Sequence, residues 1–195
     1  EVLAELGQYA ENSKFLLVML GLTAGLGLTA LNMVPSTSIS REGKCFWILQ
    51  IIPVDLKTQI KGRLAAAVLF YALSGGVFII LFGILIKMNF LYMIYGFFII
   101  LVGSVPFACS GILIDLSHPK LIWDREAEAV KQNFNGMAGM LISIVFVLIY
   151  LIPFFLYLGG ILSETASLAG IPVLILLMIL LNVSLLYKKI KAMEG

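Results

Sequence analysis

Charge is scarce in this chain. Asp, Glu, Lys and Arg make up 12% of its 195 residues, about half the ~25% of a soluble domain, while 61% are hydrophobic. That balance excludes a soluble globular protein and indicates an integral membrane protein. The net charge of +2 is too small for a nucleic-acid binder, and the basic residues are grouped by loop instead of forming a stripe. Cysteine is limited to Cys45 and Cys109, neither in a CxxC or Cys/His cluster, which argues against a disulfide framework or zinc site. The one histidine, His118, has no second His and no Cys at ligand spacing, so it reads as an exposed loop residue. HExxH, GxSxG and Walker-type motifs are all missing, and the glycines sit in apolar runs where they cannot cradle phosphate. Any nucleotide energy is expected to come from another chain. The first residues, EVLAELGQYAENSK, lack the basic-then-apolar pattern of a signal peptide.

What the chain has in abundance is long apolar runs. Five are long enough to cross a bilayer as helices: 15–34, 64–86, 90–114, 137–157 and 171–187. Their lack of strict alternation excludes a β-barrel. The expected fold is therefore all-α, a single transmembrane domain of five helices. No Asp, Glu, Lys, Arg or His lies near the middle of a run, which argues against a proton- or sodium-coupled carrier. Asn32 and Asn182, toward run ends, read as helix-end hydrogen bonders. Gly21 and Gly25, the offset pair Thr23 and Gly27, and Ala72 with Gly76 offer close helix packing. Pro106 and Pro153 are expected to break their helices, as hinges or as packing adjustments. Residues 158–170 either dip back into the membrane or form a plain external turn, with Ser163 or Thr165 available as a cap.

The basic residues predict orientation. Loop 35–63 holds Arg41, Lys44, Lys57, Lys61 and Arg63; loop 115–136 holds Lys120, Arg125 and Lys131; the tail holds Lys188, Lys189 and Lys191. Only Lys14 and Lys87 fall on the other side. Basic loops are retained inside, so the chain is expected in the plasma membrane with an external N-terminus and a cytoplasmic C-terminus. A preceding span upstream of Glu1 is expected on the same ground.

Within the first basic loop, Cys45, Ile48, Leu49 and Ile52 recur at helical spacing, with Arg41 and Lys44 toward the opposite face. The pattern predicts an amphipathic helix along the membrane surface or against a partner, ended by Pro53, with Asp55 capping the next helix. In the second loop, Asp124 is expected to cap a helix through Glu126, Glu128 and Lys131, with Gln132 on the Glu128 face. Trp123 reads as an interfacial aromatic, and Asp115 as a boundary acid partnered by Lys120 and Lys131.

Residues 40–54, SREGKCFWILQIIPV, and 115–133, DLSHPKLIWDREAEAVKQN, together resemble the two cytoplasmic loops of bacterial ABC exporter permeases of type 2 architecture. They cover about a sixth of the chain. The group commonly has lysine where Gln50 stands and asparagine where Ile122 and Arg125 stand. The resemblance implies six spans, the first lying before Glu1. It also implies a coupling helix seated in a separate cytoplasmic ATP-binding subunit, with Arg41, Glu42, Gly43, Lys44, Phe46 and Trp47 on or beside that contact. ATP would be bound by the partner, with no cofactor on this chain, and a second permease, like or unlike, would complete the pair. Two other readings compete with it. One is a membrane anchor that recruits a partner without transporting anything; the other is an intramembrane enzyme using Asp115, His118 and Glu128.

Overall fold

The computed structural model describes residues 2–194, and the side chains of 14–48, 51–125 and 127–193. Among the described residues there is no strand, and five helical segments are long and apolar enough to cross a membrane. The protein is a multi-pass helical membrane bundle.

Helix α1 (Val2–Ala30) forms the first crossing. Phe15, Val18, Met19, Leu22, Leu26 and Ala30 are buried, and their helical spacing makes one inward face, while Leu17, Leu20 and Leu28 look outward. The helix stops short of the apolar run's end. Asn32 turns the chain by accepting a hydrogen bond from the Val34 N–H at 2.9 Å, and a 3-10 turn follows at Pro35–Thr37. A second 3-10 segment, Ser40–Cys45, leads to the short α2 (Ile48–Ile51). The expected surface helix is thus two short pieces, and within the first Gly43 leaves helical geometry at φ 50°.

The second crossing joins α3 (Leu56–Tyr71), a π-helical turn at Ala72–Gly76 and α4 (Val77–Leu85). Asp55 caps α3 by accepting the Thr58 N–H; its hydrogen bonding with Thr58 holds the carboxyl below the usual aspartate range. The third crossing is α5 (Phe90–Gly103) and α6 (Val105–Ser117), broken at Ser104 just before Pro106. A short α7 (Glu126–Lys131) precedes the fourth crossing, α8 (Phe134–Tyr150) and α9 (Ile152–Leu158), broken at Leu151 before Pro153. In both broken crossings the proline occupies the first turn of the new helix, where its missing N–H costs least.

The last crossing, α10 (Glu164–Glu194), is continuous. Its first turns absorb half of the stretch expected as a re-entrant or external loop, leaving a tight turn over 159–163, and Ser163 Oγ accepts the Ala166 N–H at 3.3 Å. Pro172 lies inside this helix and cannot donate to the Leu168 carbonyl. Tyr95 supplies the missing donor, its hydroxyl reaching that oxygen at 2.7 Å.

The main core joins α1, α3 to α6 and α8 to α10, with Phe107 ring-packed against Tyr71, Phe146 and Tyr150. A smaller cluster of Ile39, Ile60, Cys109, Ile112, Leu116, Leu186 and Ile190 gathers both basic loops and the tail at one end. The opposite end carries Lys14 and Lys87 near one another and a Tyr92–Glu164 hydrogen bond of 2.8 Å. Asn182 donates to the Met178 carbonyl one turn back at 2.9 Å, but it does so inside the continuous α10 and not at a helix end as expected.

Candidate functional site

The two basic loops are knotted together around one buried carboxylate. Asp115 lies in the last turn of α6, which extends past the apolar run, and it is 0% exposed. A carboxylate near a helix C-terminus is disfavoured by the helix dipole, so its charge must be met by donors from elsewhere. One oxygen accepts the Ile39 and Ser40 N–H groups at 2.6 and 3.0 Å. The other accepts the Ser40 hydroxyl and the Asn135 side-chain amide, the latter at 3.0 Å. These donors come from the first loop and from the start of α8, so a single side chain ties three parts of the chain together.

The expected ion pairs of Asp115 with Lys120 and Lys131 are not formed. Lys120 instead donates through its backbone N–H to Ser40 Oγ at 2.9 Å, and its ammonium reaches the Gln132 carbonyl at 3.0 Å and the Glu128 carbonyl at 3.5 Å. It thereby covers the free carbonyls at the C-terminal end of α7. Nor does Asp124 cap α7; Arg125 occupies the cap position, without a side-chain hydrogen bond. Lys131 and Gln132 are exposed at the end of α7, and Glu128 is half-buried.

Trp123 joins the two loops. Its indole N–H donates to the Ser40 carbonyl at 2.9 Å, so the ring is seated on the first loop. Gly43 lies under that ring: a Cβ there would come within 2.5 Å of Trp123 Cζ2. Its φ of 50° with ψ of −126° is also a conformation other residues rarely adopt. The glycine of SREGK is therefore required twice over, by the backbone and by the indole.

The remaining side chains of the segment separate into clamps and free surface. Arg41 reaches back to the Val34 and Thr37 carbonyls, at 2.9 and 3.3 Å. Glu42 pairs with Arg63 at 2.8 Å, the one ion pair among the described residues, and Arg63 also donates to the Ser38 carbonyl. Phe46 is half-buried against the Ile39 cluster. Lys44 and Cys45 are exposed, and Trp47 is 58% exposed beside the outward-facing Ile48, Ile51, Ile52 and Val54.

Chemically the knot holds position; it has no open acid or base. Asp115 has both oxygens occupied and no exposed surface, His118 is exposed and contributes its backbone carbonyl to Asn135 at 2.7 Å, and no group of three His, Cys, Asp or Glu converges at metal distance among the described residues. Sequence reasoning did not single out Asn135 or the Ser40 hydroxyl. The available signal was an acid closing an apolar run, ILID, with no basic residue one helical turn away. Compared with protein-family models, curated proteins and solved structures, the chain matches none.

Proposed function

We propose that this chain is the membrane-spanning permease subunit of an ATP-driven exporter, moved by a separate cytoplasmic ATPase subunit and working beside a second permease. The observation that carries this reading is the Asp115 knot, because it makes the two basic loops one body with an uncovered apolar patch around Trp47. Large aromatic side chains are frequent binding anchors. A push on that patch reaches α1 and α3 through the chain, and α6 and α8 through the hydrogen bonds of Asp115 and Asn135. Closure of an ATPase around its nucleotide supplies such a push. The basic end faces the cytoplasm by the retention of Lys and Arg there. The resemblance of residues 40–54 and 115–133 to type 2 exporter loops supports the export direction and the identity of the partner.

The test is purification of the full-length protein from its own membranes, with measurement of the ATPase activity that accompanies it. Trp47→Glu is expected to reduce that activity about tenfold or more, while Lys87→Glu, at the opposite end, leaves it unchanged. ATPase activity missing from the wild-type preparation, or retained in full by Trp47→Glu, contradicts the reading.

A further inference from the structure

Helices α3 and α10 converge at the basic end. Ile60 of α3 and Leu186 and Ile190 of α10 are buried in the same cluster, and the Lys57 ammonium lies 5.1 Å from the centre of the Tyr187 ring. Lys57 and Lys61 are exposed one turn apart on α3, while Lys188 and Lys191 are exposed and Lys189 is half-buried on α10. Five cations thus gather where two crossings leave the bilayer. The acidic side chain that faces this group from α3 is Asp55, which acts on Lys61 while capping its own helix.

The lysines of α10 have an ordinary explanation, since cations at a helix C-terminus complement its dipole. Lys57 and Lys61 do not. They sit in the first two turns of α3, where the dipole is positive and a cation is disfavoured, and Lys57 reaches the Tyr187 ring, next in the chain to Lys188. Retention of basic loops accounts for their side of the membrane but not for their crowding. An anion between the two helices accounts for both. The level is that of lipid headgroups: the apolar part of α10 ends at Leu186, immediately before Tyr187, and that of α3 begins at Leu64. Below the lysines α3 exposes Gly62, Ala65 and Ala66, and nothing lies within 4 Å of a Cβ placed on Gly62, which leaves room for an acyl chain.

We propose that the junction of α3 and α10 is a docking site for an anionic phospholipid, its headgroup phosphate held by Lys57, Lys61 and Lys191. The full-length protein is purified and placed in nanodiscs of phosphatidylcholine, with and without phosphatidylglycerol, and retained lipid is counted by native mass spectrometry after release. Wild type is expected to retain phosphatidylglycerol about tenfold better than the Lys57→Gln/Lys61→Gln/Lys191→Gln variant. The corresponding Lys→Arg variant is expected to restore retention, and Lys14→Gln/Lys87→Gln to leave it unchanged. Phosphatidylglycerol is expected to raise the thermal midpoint of wild type but not of the Gln variant, and inorganic phosphate in detergent to raise neither. Equal retention by wild type and the Gln variant, equal loss in the Lys14/Lys87 variant, or equal stabilisation by inorganic phosphate each overturns the proposal.

Discussion

Asp115 is a buried acid whose four hydrogen bonds all come from neutral donors. Removing it strands the Ile39 and Ser40 N–H groups and one N–H of the Asn135 amide, whose other N–H keeps the His118 carbonyl. Asp115→Ala is therefore expected to destabilise by about 3 kcal/mol or more, and Ser40→Ala by about 1–2 kcal/mol, since the backbone donors keep their acceptor. Thermal unfolding in detergent checks the order, and equal effects would show that the carboxylate is not the hub. Gly43→Ala carries two separable penalties, an unfavourable φ and a collision with Trp123. It is expected to cost about 2–3 kcal/mol. In a double-mutant cycle Trp123→Ala should relieve the collision but not the backbone strain, so the coupling is negative and incomplete.

Among the elements, the first crossing presents two small-residue faces in sequence, and packing chooses between them. A Cβ at Gly25 would come within 2.5 Å of Ile100 Cδ1, and one at Gly75 within 2.7 Å of Thr29 Cγ2 and 2.8 Å of the Gly25 carbonyl, whereas Gly27 has open space. Close approach, not apolar burial, holds membrane helices together. Gly75→Ala is expected to lower stability by about 1–3 kcal/mol, because a carbonyl of α1 has to move. Gly27→Ala should be neutral or slightly stabilising, and matched thermal scans of the two variants decide.

These elements also show what can be read from sequence. Each crossing was legible as an apolar run, and both breaks were legible from Pro106 and Pro153. The start of α3 was legible as well, from Asp55 as the cap of a helix running through Lys57 and Lys61, but the start of α10 was not, because from Glu164 to Gly170 apolarity no longer marks the helix. The π turn at Ala72–Gly76 was legible only as small residues. The site was half legible: the chemistry of SREGK and of Trp123 stood out, but the burial of Asp115 depends on donors from residues 39, 40 and 135, separated along the chain and joined only by the fold.

In the whole molecule, polarity is divided between the ends. The basic end holds both loops, the tail, the buried carboxylate and the uncovered Trp47 patch, while the opposite end is closed by short turns. Most outward side chains between them are apolar, as contact with lipid requires. The compartment that the basic end faces decides whether an ATPase can reach Trp47, and one native thiol reports it. Cys45 is exposed two residues before Trp47, whereas Cys109 is buried. A membrane-impermeant maleimide is predicted to leave Cys45 unmodified in intact cells and to modify it in inverted vesicles, faster in Trp47→Glu if the proposed ATPase docks over Trp47. Modification of Cys45 in intact, unpermeabilised cells would contradict the orientation, and with it the ATPase docking.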